Sequence, residues 1–165
     1  AFLASRFRQQ KDLFARDLFH QVTIADYAFD KDRIFAHLNL EGDELQLYET
    51  LYRLMEPSTP QPDLVVYLQS TPERLMENIR LRGRSYEVNM DPDYIRELHE
   101  AYTYYFRRYT KSPLLIVNAT PIDFVKNPAD LKELVRQIVT VTPSGTTYFD
   151  PTSSGEPSDA ARRDG

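Results

Sequence analysis

Two short apolar runs constrain this chain more than anything else in it. Leu64-Val65-Val66-Tyr67-Leu68 follows Pro57, Pro60 and Pro62, and Leu114-Leu115-Ile116-Val117 follows Pro113. Runs of this length, rich in β-branched residues and without polar alternation, predict strands covered on both faces. The first predicts a central strand of a parallel sheet. Behind it comes Ser70-Thr71-Pro72-Glu73. Pro72 suits a first helical turn, and Glu73 can complete a capping box with Ser70. That helix is predicted to run to about Arg82.

The remaining segments alternate in the same way. Residues 1 to about 16 predict a helix, with Leu3, Phe7 and Phe14 at helical spacing. Val22-Thr23-Ile24-Ala25-Asp26-Tyr27 predicts a short buried strand, and Asp30-Lys31-Asp32-Arg33 a charged turn ahead of Ile34-Phe35-Ala36. Asp43 to Met55 predicts a helix with Leu47, Leu51 and Met55 in one row. Asp93 to Lys111 predicts a long aromatic helix, and Pro128 to Val139 a last one. Alternation of helix and strand implies an α/β layer fold with a parallel sheet. Ligands of such folds sit at the C-terminal ends of strands, which directs attention to Asp26, Gln69 and the stretch from Asn118 to Asp123. After Thr140 the composition turns to Ser, Thr, Gly, Pro and Asp. Residues 141–165 are therefore expected to be a flexible or loosely docked tail outside a domain of residues 1–140.

Composition removes several classes of function. Of 165 residues, 41% are hydrophobic and 27% charged, the proportions of a globular domain. The net charge of −5 argues against a polymeric nucleic-acid partner, since neutralising a phosphate backbone takes a positive excess. Cysteine is absent, which excludes disulfides and Cys-ligated metals. No stretch nears the roughly 18 apolar residues of a membrane span, and no signal-peptide pattern opens the chain, so a cytoplasmic location is expected. Phe2 to Phe7 reads as the middle of a helix with no cap ahead of it, so the sequence is expected to begin inside a longer protein.

The sharpest local feature is Asn78-Ile79-Arg80-Leu81-Arg82-Gly83-Arg84-Ser85-Tyr86-Glu87. Gly83 can adopt positive φ and end the helix, leaving Arg82 and Arg84 on a short loop. Guanidinium forks bind phosphate oxygens two at a time and keep their charge. Phosphoryl transfer gathers charge on the migrating group, and a loop closing over ATP would stabilise it and exclude water. The same residues also fit a solvated basic helix end, favoured by the helix dipole.

Pro62-Asp63-Leu64-Val65-Val66-Tyr67-Leu68, with Ser70-Thr71-Pro72-Glu73 and Leu81-Arg82-Gly83-Arg84-Ser85-Tyr86-Glu87, resembles the deoxynucleoside kinase family. Ser5-Arg6-Phe7-Arg8-Gln9 resembles its substrate-site helix. Ile24-Ala25-Asp26-Tyr27 with Ile34-Phe35-Ala36 is similar to bacterial deoxyadenosine and deoxyguanosine kinases. The likeness covers roughly residues 1 to 140, in order. It implies a P-loop NTPase-like three-layer fold, a parallel sheet flanked by helices, and a homodimer. It implies ATP-dependent phosphorylation of the 5′-hydroxyl of a deoxynucleoside, deoxyadenosine or deoxyguanosine, in nucleotide salvage, with ATP as donor and Mg²⁺. Position by position, Arg6 matches a base-reading arginine, and Arg82 and Arg84 match catalytic lid arginines on the ATP phosphates, in a lid near residues 78–90. Glu87 matches a carboxylate that reaches the sugar 3′-hydroxyl. Asp123 and Phe124 match the loop bordering the adenine of ATP.

The departures are local. Ala25-Asp26-Tyr27 stands where many members have Glu-Arg-Ser, so Asp26 either acts near the 5′-hydroxyl, by way of Mg²⁺, or caps a strand end. Asn78 replaces a lid-helix arginine, for which Arg80 is the substitute on the ATP side. The acidic base-reading residue falls at Lys31 or Asp32. No protein-held metal site is assigned. The glycines, Gly42, Gly83, Gly145, Gly155 and Gly165, cannot form Gly-x-x-x-x-Gly-Lys-Ser/Thr, so the first strand and its phosphate loop are expected upstream and the 165 residues alone are expected to be inactive. Two further readings are a nucleoside monophosphate (thymidylate-like) kinase and a non-catalytic nucleotide- or partner-binding module.

Overall fold

The computed structural model describes residues 2–16, 23–26, 28–84, 90–141 and 144–151. Among the described residues six α-helices and three strands follow one another: α1 Phe2–Arg16, α2 Phe29–Asn39, α3 Gly42–Met55, β1 Val65–Gln69, α4 Pro72–Arg82, α5 Pro92–Arg107, β2 Leu114–Asn118, α6 Pro128–Thr140 and β3 Thr146–Phe149. They form two compact units. One comprises residues 1–62 and 97–105, the other residues 63–96 and 106–165.

The first unit is helical. Leu3 of α1, Phe29 and Ala36 of α2, and Tyr48 and Tyr52 of α3 form its buried core, with Phe7, Leu40 and Met55 packed against it. Phe29 stacks on Tyr52 with ring centroids 4.9 Å apart, a geometry that adds to plain area burial. Two expectations fail here. Residues 30–33 are not a turn but the first turns of α2. Phe29, Asp32 and Ala36 lie at helical spacing, and all three are buried. The predicted strand from Val22 to Tyr27 is not formed over residues 23–26. Ile24 is 91% exposed, and no strand among the described residues pairs with this segment, so its amides gain nothing from an extended ladder.

The second unit holds a parallel sheet of order β1-β2-β3. Leu115 and Val117 of β2 are wholly buried and share a core with Ile122 and Leu134, against which Leu64, Val66, Phe124, Ile138 and Phe149 pack. From the other face of β1, Tyr67 stacks on Phe106 at the end of α5, with centroids 4.4 Å apart. Strand side chains alternate between faces, so Val66 and Tyr67 carry the helix layers on opposite sides of the sheet. Among the described residues β2, not β1, is the central strand, and β1 is correspondingly only half-buried. The segment expected to be a tail contributes a strand. Thr146–Phe149 runs parallel to β2, with Leu114 N–H donating to Gly145 O at 2.9 Å. Its four residues, Thr, Thr, Tyr and Phe, are strand formers, and pairing with a buried strand lets them act as one amid the loop-like Ser144-Gly145 and Asp150-Pro151.

Candidate functional site

In the first unit the predicted residues fall on α1, α2 and the segment before α2. Arg6 is half-buried and donates to Gln9 Oε1 at 2.9 Å. Asp26 is exposed in a bend. Of the two positions left open for an acidic residue, Lys31 faces solvent while Asp32 is 6% exposed. Tyr48 Oη donates to Asp32 Oδ2 at 3.2 Å. Burial pushes the Asp32 carboxyl above the usual carboxylate range, and the Tyr48 hydrogen bond and the charge of Arg6 pull it partly back. A carboxyl held this way can either accept or donate to a polar ring edge.

Around it lies a network that the sequence did not announce. Asp30 Oδ1 accepts from Tyr52 Oη at 3.0 Å and from Tyr105 Oη at 2.5 Å. Arg33 forms a two-pronged pair with Glu49, Nε to Oε1 at 2.9 Å and Nη2 to Oε2 at 3.1 Å, and its guanidinium lies 5.3 Å from the centroid of the Tyr52 ring. His37 Nε2 meets the same Glu49 Oε1 at 2.7 Å. Burial raises the Glu49 carboxyl, but the hydrogen bonds from Arg33 and His37 outweigh it, and the net effect is below the usual range. The signal available beforehand was the spacing of Tyr48 and Tyr52, one helical turn apart on α3 and facing the acidic start of α2.

The second unit carries the arginine hairpin and the loop after β2. Thr71, not Ser70, caps α4, its hydroxyl accepting from Arg74 N–H at 3.3 Å. Ser70 Oγ is buried without a partner. Gly83 takes φ of 62° and closes the helix through Ile79 O, as its sequence context implied. Arg80, Arg82 and Arg84 are all exposed at this end of α4. Glu87 lies outside the described residues.

Asp123 is engaged in its own loop. Its Oδ1 accepts from Val125 N–H at 3.1 Å and Lys126 N–H at 3.0 Å, and Arg74 Nη2 lies 3.7 Å from Oδ2. These hydrogen bonds, Lys126 first, hold its carboxyl below the usual range. Phe124 is half-buried against the Leu115–Leu134 core. Both residues shape the loop from Asn118 onward. Among the described residues no group of three or more His, Cys, Asp or Glu could hold a metal ion, and no helix is long and apolar enough to cross a membrane.

Comparison with known proteins places these elements. Residues 1–142 match the family model described as "Deoxynucleoside kinase". A curated relative, deoxyguanosine kinase of Bacillus subtilis (strain 168), is 28% identical over 142 residues, covering 83% of this chain and 69% of that protein. Deoxyadenosine kinase of Lactobacillus acidophilus is 28% identical over 130 residues, covering 70% of this chain and 60% of that protein. The solved deoxyadenosine kinase of M. mycoides with bound dCTP superposes with a TM-score of 0.61 at 20% identity, over 85% of this chain and 76% of that one. At that identity the likeness speaks for the fold, the parallel α/β arrangement of P-loop NTPases.

Proposed function

Because the chain belongs to the deoxynucleoside kinase family, we propose that the complete protein transfers the γ-phosphoryl group of ATP to the 5′-hydroxyl of a deoxynucleoside, deoxyadenosine or deoxyguanosine, in nucleotide salvage. The observation that carries this reading is the family match across residues 1–142, which spans the helical unit and most of the sheet unit together. The relatives named above are purine deoxynucleoside kinases, which supports a purine acceptor. The matched stretches cover 60% to 69% of those relatives, so the activity is assigned to the complete protein rather than to these residues alone. No observation favours a nucleoside monophosphate acceptor or a non-catalytic module.

In this reading Asp32 and Arg6 face the nucleobase. Asp32 is the better of the two acidic candidates because it is buried and held, whereas Lys31 is neither acidic nor enclosed. Arg82 and Arg84, with Arg80 beside them, close over the triphosphate and meet the charge that develops on the migrating group. Glu87 reaches the sugar 3′-hydroxyl. The loop of Asp123 and Phe124 borders the adenine, through the backbone that those two side chains fix. Mg²⁺ accompanying ATP supplies neutralisation of the phosphate charge. Such an ion is commonly held by one or two carboxylates together with phosphate oxygens, and the single exposed carboxylate of Asp26 suits that arrangement. A homodimer in the cytoplasm completes the proposal. The row of exposed Leu47, Leu51 and Leu54 on α3 supports self-association, since apolar rows on a helix surface mark contact faces.

The test is turnover by the complete protein with ATP and deoxyadenosine, deoxyguanosine or thymidine monophosphate. Purine 5′-monophosphates are expected, and Arg82→Ala or Arg84→Ala should each lower kcat by about 10²-fold or more, as for other electrostatic stabilisers. Turnover confined to thymidine monophosphate would overturn the acceptor. Unchanged kcat in both variants would overturn the lid roles.

A further inference from the structure

Strand β3 lies beyond residue 142, where the family match stops, yet it is tied to the loop that leaves β2. Its register runs to Val117↔Phe149. Two contacts follow at that end. Phe149 packs into the core beside Ile122, the residue before Asp123. Asp150 Oδ1 accepts from Asn118 Nδ2 at 2.8 Å.

The second contact decides an orientation. An ionised carboxylate only accepts, so Asp150 draws the amino side of the Asn118 amide toward itself. That turns Asn118 Oδ1 inward, where it accepts from Thr120 N–H at 3.1 Å. From the other side, Ala119 N–H donates to Gln69 O at 2.7 Å, and Thr120 Oγ1 accepts from Thr71 N–H at 3.2 Å. The first residues of the loop are thus fixed by both neighbouring strands, β1 and β3. A cavity of about 320 Å³ sits alongside, with Phe149, Asp150 and Pro151 opposite Ile122 and the first turn of α6. Without β3 this side of the loop would face water.

We propose that β3 braces the 118–124 loop for binding of the donor nucleotide, with Asp150 as a positioning residue that acts through Asn118. The proposal rests on the reading, given above, that this loop borders the adenine of ATP. It adds a requirement for residues that the family match does not include.

The complete protein carrying Asp150→Ala or Asp150→Asn tests it. Alanine frees the Asn118 amide to turn; asparagine still offers a carbonyl oxygen. In Asp150→Ala the amide of Thr120 should exchange its hydrogen faster at unchanged thermal midpoint, and the KM for ATP should rise about fivefold, the effect of losing one exposed hydrogen bond. The KM for the deoxynucleoside and kcat should stay as they were, and Asp150→Asn should behave like the parent. Unchanged exchange at Thr120 in Asp150→Ala overturns the brace. Faster exchange with an unchanged ATP KM overturns its link to the donor nucleotide. Should the parent protein transfer nothing from ATP to any deoxynucleoside, the proposed activity falls, while amide exchange still decides whether β3 braces the loop.

Discussion

Asp32 shows what a single residue's surroundings decide. In the sequence it stands beside Lys31 in a run of charges, and either could occupy the acidic position. Helix α2 separates them, because adjacent residues on a helix point about 100° apart and only one faces the core. Burial then makes its proton harder to remove than the ordinary value of 3.8 implies. The folded state therefore holds the proton more tightly than the unfolded chain. Stability falls as pH rises from near 3.8 through the raised folded pKa, and ionised Asp32 is a net cost above that window. Asp32→Asn should raise the thermal midpoint relative to the parent at neutral pH, with the difference shrinking as the pH approaches 3.8. A difference that does not change with pH would contradict this assignment. Asp123 teaches the converse: its carboxylate is taken up by the turn it begins, as Asp residues in turns commonly are.

At the scale of elements, the start of α4 separates two residues that look equivalent in sequence. Ser70 and Thr71 can both cap a helix, and the Glu73 spacing pointed to Ser70. Pro72 sets the frame instead. It occupies the first helical position, so the residue just before it becomes the cap. Thr71→Ala should lower stability by about 1 kcal/mol. Ser70→Ala should be neutral or slightly stabilising, since its buried hydroxyl has no partner to lose. Urea denaturation of both variants checks the contrast, and equal losses would return the cap to Ser70. The strands β1 and β2 and the helices after them were legible because short apolar runs and proline starts are local signals. Helix α2 was not, because its charged first turn masked a buried face that only α3 completes. Strand β3 was not, because four strand-forming residues, Thr146-Thr147-Tyr148-Phe149, are too short a run to stand out between Pro143-Ser144-Gly145 and Asp150-Pro151 until β2 supplies a partner.

For the molecule as a whole, the sequence conveyed layer type and the order of most elements but not the division into a helical and a sheet unit. That division depends on which helix faces find partners, as Phe29 and Tyr52 do in one unit and Tyr67 and Phe106 in the other. The clamp of Tyr52 and Tyr105 on Asp30 has an optical consequence. The chain contains 11 tyrosines and no tryptophan, so its near-ultraviolet absorption is dominated by phenol groups. Burial, and then the negative charge of Asp30, push the Tyr52 phenol far above its ordinary value of 10.0. Folding therefore protects that proton, and stability contributed below pH 10 is lost as the pH climbs further. An alkaline titration followed at the phenolate band should resolve a steep step, from the Tyr52 phenol, that coincides with loss of helical circular dichroism. A single gradual step that leaves the helices intact would show the clamp to be open in solution. The protein thus carries an intrinsic chromophore whose ionisation reports, without any label, when its helical half comes apart.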